Sequence, residues 1–253
     1  MNNEQRTMNY ELTKNGFSLT EVLLAVATLA IGMLFIAGTF LVGIHFSTIA
    51  TERTIAAVAA DEAFAKVKIY GVNVSSLSPN QQTPFTSIDP NEFAYPSTNT
   101  VAEKQYYWSA LCRRVGSDPN RSVQVTVFVC RKVGSGTKYW VRNPDRTLSV
   151  GSPHPIPIPV KVSQVSPNEL SIIDDLNDGI DERTFINDGY TIVDNQTGQI
   201  YRVVKRYAPP DDERMILLDR PWVGGATGLV WVVPPVGGGR YPCIAVYQKI
   251  MRF

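Results

Sequence analysis

The chain has 253 residues, enough for one or two domains once an N-terminal apolar segment is set aside. Its 24 basic and 23 acidic side chains leave a formal net charge of +1, which gives no support for a nucleic-acid partner. The three cysteines form no CxxC pair, which argues against a zinc ribbon or a thioredoxin-like site.

The first 16 residues are polar and lack the apolar core of a secretory signal. Lys14 stands just before an apolar run and favours a cytoplasmic N-terminus. We therefore interpret residues 1–16 as a segment that stays outside the bilayer.

The segment Gly16-Phe17-Ser18-Leu19-Thr20-Glu21 opens this apolar run. Residues 22–46 contain no Asp, Glu, Lys or Arg, and a helix of about 20 apolar residues is long enough to cross a bilayer. A charge at the start of such a segment is costly, so Glu21 is expected to have a partner and a task.

Residues 14–70 resemble the N-terminus of type IV prepilins and of the related pseudopilins of type II secretion. The matching features are a polar leader ending in Gly16, Phe17 as the first mature residue, Glu21 as the fifth, and the apolar helix behind them. The resemblance implies cleavage after Gly16 by a prepilin peptidase and N-methylation of the new amine on Phe17. It also implies that Glu21 pairs with that amine on a neighbouring subunit, which would set the axial register of assembly.

Other interpretations of the segment remain open. An ordinary signal peptide could be cut at Ala25-Val26-Ala27, but that leaves too short an apolar region before the cut. A later cut near Ala37 and a plain membrane anchor are further alternatives. The Glu21 carboxylate could also extend to the cytoplasmic headgroups without pairing.

Residues 17–71 are predicted to form one long helix whose first half spans the membrane. In its second half, Ile55, Val58, Ala59, Ala63 and Val67 follow helical spacing and predict a stripe that docks on a soluble head. Gly71 is the expected C-cap. Many major pilins have a proline in the first half, whereas this helix has glycines at 32, 38 and 43, a departure that favours a minor subunit.

Residues 72–145 predict a connecting loop followed by a β-hairpin. The loop, residues 73–100, is rich in Ser, Thr, Pro and Asn and is expected to be a solvated connector. The strands are predicted at 105–115 and 122–133, with a short addition at 139–142. Alternating valines at 123, 125, 127 and 129 should cover the long helix, and the hairpin's cluster of Arg113, Arg114, Arg131 and Lys132 should be a solvated edge.

The cysteines leave two interpretations open. In an oxidising compartment one disulfide is permitted, with Cys112 and Cys130 in adjacent strands as the candidates, and Cys243 left over. The alternative is three small buried residues with free thiols.

Residues 146–160 contain alternating prolines and predict an extended polyproline II linker. Residues 161–253 then predict an additional C-terminal β-rich section, a small sheet or barrel. Its candidate strands are 160–165, 190–193, 200–206, 215–218, 228–233 and 244–251. Turns are expected at 194–198 and 209–212.

The acidic run at 174–182 provides weak calcium candidates in Asp174, Asp175, Asp178 and Asp181. The EF-hand alternation breaks at Leu176, so a solvated acidic loop is favoured over a metal site. The sequence contains no nucleophile elbow, phosphate loop or HExxH motif, and neither enzymatic activity nor a cofactor is expected.

The predicted fold is α+β, with a long N-terminal helix packed on an antiparallel pilin-like sheet. The expected function is a structural subunit of a type IV pilus-like filament, inserted in the inner (cytoplasmic) membrane by one span with its head extracytoplasmic. Its partners would be the prepilin peptidase, other pilin or pseudopilin subunits, the assembly platform and the bilayer. The alternatives are a minor pseudopilin of type II secretion, in a periplasmic pseudopilus, and a membrane-anchored binding protein or enzyme.

Overall fold

A computed structural model of the chain describes residues 17–97, 104–116, 122–134, 136–143, 147–174, 180–236 and 241–253. The chain divides into two compact units, residues 1–50 and 51–253, and helix α1 (Leu19–Tyr70) contributes to both. All the strands of the described residues belong to the second unit. One long apolar N-terminal helix followed by antiparallel sheets confirms the α+β prediction. The predicted leader, with Gly16, lies outside the described residues.

The strands and short helices follow α1 in chain order. Within the described ranges, 3₁₀ turns cover Val74–Ser76, Pro90–Phe93 and Glu182–Phe185. The strands are β1 (Thr83–Pro84), β2 (Ala94–Tyr95), β3 (Tyr106–Arg114), β4 (Ser122–Arg131), β5 (Tyr139–Arg142), β6 (Leu148–Ser152), β7 (Ile158–Ser166), β8 (Glu169–Ile173), β9 (Thr191–Asp194), β10 (Ile200–Arg206), β11 (Met215–Leu218), β12 (Thr227–Val232) and β13 (Cys243–Arg252).

The second half of α1 packs on the sheet mainly through alanine. Its buried apolar residues are Ala56, Ala59, Ala60, Ala63, Phe64 and Val67. The predicted stripe is therefore confirmed at three positions and wrong at Val58, which is 51% exposed. Small side chains on this face let the helix backbone approach the strands, and Ala56 and Ala60 belong to the buried face although the predicted stripe does not include them. The helix ends as expected at Gly71, whose φ is 76° and whose N–H donates to the Val67 carbonyl over 3.1 Å.

The first sheet is antiparallel and has β4 at its centre, between β3 and β13, with β1 and β2 on the far side of β3. The predicted β3–β4 hairpin is present, with Ser109 opposite Phe128. The last strand of the chain completes this sheet, pairing along the whole length of β4. The C-terminal section is therefore not a separate appendage, because its final strand belongs to the first sheet.

Six of the remaining strands close a barrel in the order β10-β11-β8-β7-β12-β9. A barrel leaves no unpaired strand edge, which accounts for so many short strands being stable together. Its interior is filled by a cluster that includes Val160, Leu170, Ile192, Tyr201 and Ile216, each fully buried. Strand β8 was not predicted, although Pro167 and Asn168 between it and β7 provide a turn signal.

The predicted polyproline linker at 146–160 is wrong. Strand β6 occupies residues 148–152 and pairs with β5, and β7 begins at Ile158 and includes Pro159. Pro159 stands opposite Trp231 of β12, whereas pairing of β7 with β8 begins only at Lys161. Proline is tolerated there because this end of β7 has a single neighbouring strand and a missing N–H costs little.

The connector after α1 is more ordered than a solvated loop. Leu77, Phe85, Ile88 and Ala94 are buried, and β1 and β2 pair with β3. The buried Lys66 ammonium of α1 pairs with the Glu92 carboxylate at 2.6 Å and also donates to the Glu92 carbonyl at 2.7 Å. This charge pair holds the connector against the helix, while residues 98–103 lie outside the described residues.

The predicted turn after β9 is present and joins the barrel to the first sheet. The buried Asp194 carboxylate accepts hydrogen bonds from the backbone N–H groups of Gln196 and Thr197. The Gly198 carbonyl accepts from the Gln248 side chain of β13 at 2.7 Å, and the Gln82 N–H donates to the Asn195 carbonyl at 3.0 Å. The turn is thereby bound both to β13 and to the connector.

A substitution at Gly198 tests the contacts of this turn with β13 and with the connector. Its φ is +72°, and an added Cβ would lie 2.5 Å from Gln124 Oε1 and 2.6 Å from Gln82 Nε2. Because the two glutamine side-chain ends would have to shift, we expect Gly198→Ala to lower the free energy of unfolding by about 1 kcal/mol more than Gly189→Ala. Gly189 is the matched control, because its φ is +78° and an added Cβ there meets nothing within 4 Å. Denaturant unfolding of the two variants measures the difference. Equal losses of unfolding free energy would contradict the contacts of the turn at Gly198.

Candidate functional site

The N-terminal turn of α1 is closed by a side-chain cap. The Ser18 hydroxyl accepts a hydrogen bond from the Glu21 N–H at 3.3 Å, and the Ser18 carbonyl accepts from the N–H groups of Glu21 and Val22. Ser18 and Glu21 stand in the S-x-x-E spacing of a capping box. This local role was missed in the sequence, although the spacing is visible there.

Glu21 and Phe17 are both exposed at this end of the helix, Phe17 by 80%. Within the described residues the Glu21 carboxylate forms no ion pair. A negative charge in the first helical turn is favourable because it faces the partial positive charge of the helix N-terminus. Capping accounts for where the acid stands along the helix, but it leaves the carboxylate free to bind a cation.

The first half of α1 exposes its entire apolar surface. In residues 17–50 only Ile49 is even partly buried, and the exposed set includes Leu23, Leu34, Phe35 and Phe40. An apolar surface of this size needs lipid or another protein to cover it. Among the described residues, α1 is the one helix long and apolar enough to cross a membrane. The chain thus has a candidate N-terminal membrane anchor.

An ion pair fastens the beginning of the second unit's helix to the sheet. Arg131 Nη1 lies 2.5 Å from both carboxylate oxygens of Glu52, and both side chains are only 16% exposed. Arg131 Nη2 also donates to the Tyr241 carbonyl at 3.1 Å. The prediction of a solvated basic edge is therefore wrong for Arg131, because β4 is central in the sheet and not at its margin.

The cysteine geometry excludes a bond between Cys112 and Cys130. All three thiols are free and buried. Cys112 stands opposite Val125, whereas Cys130 stands opposite Tyr107, five residues away along β3 and so about 17 Å distant. The two side chains also belong to different core clusters, on opposite faces of the sheet. Burial raises the pKa of the Cys112 thiol to about 12, which keeps it protonated and unreactive.

Cys130 instead has Cys243 of β13 as its cross-strand partner. The Arg131 N–H donates to the Pro242 carbonyl, so the cysteine pair occupies the next, non-hydrogen-bonded position of the ladder. Cα atoms at such positions lie about 4.5 Å apart, within the range that a disulfide spans.

Refolding in a glutathione redox buffer is expected to link Cys130 to Cys243 and to leave Cys112 as a thiol. Peptide mapping after alkylation measures the connectivity. Cys112→Ser should leave the link unchanged, whereas a Cys112–Cys130 peptide would contradict the observed register of β3 and β4.

The calcium candidates are only partly described. Asp181 caps the 3₁₀ turn Glu182–Phe185, and its carboxylate binds Arg183 Nε at 2.7 Å and Nη2 at 2.9 Å. The Arg183 hydrogen bond lowers the pKa of Asp181 against a smaller opposing effect of burial. Asp174 is exposed, and Asp175 and Asp178 lie outside the described residues. Among the described residues, no three His, Cys, Asp or Glu side chains are grouped closely enough to hold a metal ion.

Comparison with known proteins adds no relative. Neither protein-family models, nor curated proteins, nor solved structures show a match to this chain.

The Glu52–Arg131 pair can be tested by a double-mutant cycle. Glu52→Gln should lower the free energy of unfolding by about 1–3 kcal/mol, because it leaves a largely buried guanidinium without its carboxylate. Glu52→Gln combined with Arg131→Met should cost less than the sum of the single changes. Arg53→Met, at the exposed neighbouring position, is the control and should change stability by less than about 0.5 kcal/mol. Additive losses would contradict a coupled pair.

Proposed function

We propose that this chain is a structural subunit of a type IV pilus-like filament. It is made as a prepilin, inserted in the inner membrane with its head outside the cytoplasm, and cleaved after Gly16. The observation that carries the proposal is the segment from Gly16 to Glu21, which opens a 52-residue helix with a fully exposed apolar first half and a second half built into a β-rich head.

The first half of α1 supports assembly through helix packing. Among the described residues, a Cβ added at Gly32, Gly38 or Gly43 would meet nothing within 4 Å, so no contact seen there requires glycine at these positions. Each glycine weakens the helix by about 1 kcal/mol relative to alanine. Close approach of neighbouring helices would offset this cost, since small residues let helix backbones approach in an apolar environment.

Glu21 is proposed to pair with the N-methylated amine of Phe17 on a neighbouring subunit. Cleavage after Gly16 creates this amine four residues before Glu21. In an apolar surrounding an unpaired carboxylate is expensive and a paired one is strongly held. A subunit would therefore stop at the axial position where its carboxylate meets a neighbour's amine.

The same parts would serve a minor pseudopilin of type II secretion, which forms a periplasmic pseudopilus. Both systems require leader cleavage, an exposed apolar helix and a folded head. The absence of a helix proline and the barrel inserted into the head support a minor subunit in either system.

Processing is the first test. Co-expression of the full chain with a prepilin peptidase should yield a mature chain that begins at N-methylated Phe17, as read by N-terminal mass spectrometry. Gly16→Leu should block cleavage because a bulky residue does not fit a narrow protease subsite, whereas Asn15→Ala should be cut normally. An uncut wild-type chain, or one cut near Ala27 or Ala37, would overturn the proposal.

Glu21→Ala should leave cleavage intact and lower incorporation into filaments by about tenfold or more, equivalent to about 1.4 kcal/mol. Immunoblotting of sheared filament fractions measures incorporation. Ser18→Ala is the matched control, because it removes the helix cap but keeps the carboxylate. Equal losses in the two variants would show that Glu21 acts only through the capping box.

A further inference from the structure

Three exposed charged side chains, Arg53, Asp61 and Lys68, form a charged flank along the second half of α1. They are spaced by eight and seven residues, a separation that places side chains on the same side of a helix. Burial raises the pKa of the Tyr247 phenol of β13, and the charges of Arg53 and Asp61 act on it in opposite directions. Lys68 Nζ donates to the Arg252 carbonyl further along the same strand. The charged flank therefore runs beside β13.

The charges of this flank are not neutralised within the chain. Among the described residues, Arg53, Asp61 and Lys68 form no ion pair. Lys249 of β13 adds a further cation beside the flank, 5.8 Å from the centroid of the Phe64 ring. These charges can bind opposite charges on a neighbouring molecule.

The helix surface around the charged flank is small and apolar. Val58 and Ile69 are large exposed apolar residues, and Ala57 and Ala65 are exposed beside them. The same helix exposes apolar side chains throughout its first half. Because small side chains let helices approach closely and uncovered apolar surface favours association, another helix fits this surface.

The order of the charges, positive then negative then positive, decides how two parallel copies of this helix can lie side by side. In register, Arg53 would face Arg53 and Asp61 would face Asp61, and like charges repel. An axial offset of seven to eight residues, about 10.5–12 Å, instead places Arg53 of one copy beside Asp61 of the next. The same offset places Asp61 of the first copy beside Lys68 of the next.

We propose that the charged flank binds the charged flank of a second copy of this chain, displaced by about 10.5–12 Å along the helix axis, through these two ion pairs. The inference rests on the proposed function, because copies anchored at the same depth in a bilayer are in register and cannot form the pairs. The charged flank therefore opposes pairing in the membrane and favours it once one copy has moved out by about two helical turns.

The proposed pairing of Glu21 with a neighbour's amine allows the same displacement. Helix α1 begins at Leu19, two residues after Phe17. Two extended residues span up to about 7 Å, and the helical steps from Leu19 to Glu21 add about 3 Å. The amine can thus lie about 10 Å before the carboxylate along the axis.

Cysteine trapping measures the offset with the charges intact. Ala57 and Ala65 are exposed and lie eight residues apart. Full chains carrying Ala57→Cys and Ala65→Cys, co-expressed and oxidised in sheared filaments, should form a 57–65 disulfide, whereas either variant alone should form little dimer. The native thiols are buried, and the wild-type chain gives the background.

Membranes from cells that lack the prepilin peptidase should give no 57–65 disulfide, because the uncleaved copies stay in register. Filaments that contain both cysteine variants without this disulfide would overturn the inference and leave the proposed function standing. An equal yield of the disulfide in uncleaved membranes would do the same.

Charge reversal tests the ion pairs. Asp61→Arg should lower incorporation into sheared filaments about tenfold, because each copy then meets only like charges. Reversing all three charges, with Arg53→Glu, Asp61→Arg and Lys68→Glu, should recover most of the incorporation, because opposite charges again meet. Asp211→Arg, at an exposed position between β10 and β11, is the matched control and should incorporate normally.

Immunoblotting of sheared fractions measures incorporation of each variant. Normal incorporation of Asp61→Arg, an equal loss in Asp211→Arg, or no recovery in the triple variant would overturn the inference alone. A wild-type chain that is cleaved but absent from filaments would overturn the proposed function together with it.

Discussion

The head depends on one strand that is buried on both faces. Side chains at alternate positions of β4 point to opposite sides of the sheet, and nearly all of them are inaccessible to solvent. Val123, Val125, Val127 and Val129 pack on the second half of α1, while Phe128 and Cys130 pack toward the barrel through Val193 and Trp231. Because both cores share this strand, neither the helix contact nor the barrel contact can be lost without exposing apolar surface on β4.

The barrel is inserted between two neighbouring strands of the first sheet. The chain leaves the sheet after β4, builds the β5–β6 hairpin and the six-stranded barrel, and returns as β13 to pair with β4 again. The turn at 194–198 connects the insertion to its base, because the Gly198 carbonyl accepts a hydrogen bond from the Gln248 side chain of β13 at 2.7 Å. Pairing of β4 with β13 spans more than a hundred residues of chain and is costly in loop-closure entropy. A covalent link at Cys130 and Cys243 would reduce that cost.

The first unit differs from the head in what covers its apolar side chains. The backbone groups of its helix hydrogen-bond to one another, but its apolar side chains are exposed. They must therefore be covered by lipid or by other helices. The head, in contrast, buries its apolar residues within itself and fastens its own part of α1 with the Glu52–Arg131 and Lys66–Glu92 pairs. The proposed role as a filament subunit would require both properties, since the first half of α1 would exchange lipid for protein while the head stays folded.

Short-range sequence patterns were enough to predict much of this fold. The apolar run, the glycine at the end of α1, the alternating valines of β4 and most barrel strands were predictable, because each depends on spacing within a few residues. Three predictions failed for a common reason: the burial of Arg131, the pairing of Cys130 and the strand at Pro159 depend on residues far away in the chain. Helix length and the candidate membrane span are therefore properties of the sequence alone. The neighbours of β4 and the placement of Cys130 opposite Cys243 were decided by tertiary structure, because long-range pairing determines which side chains share a core.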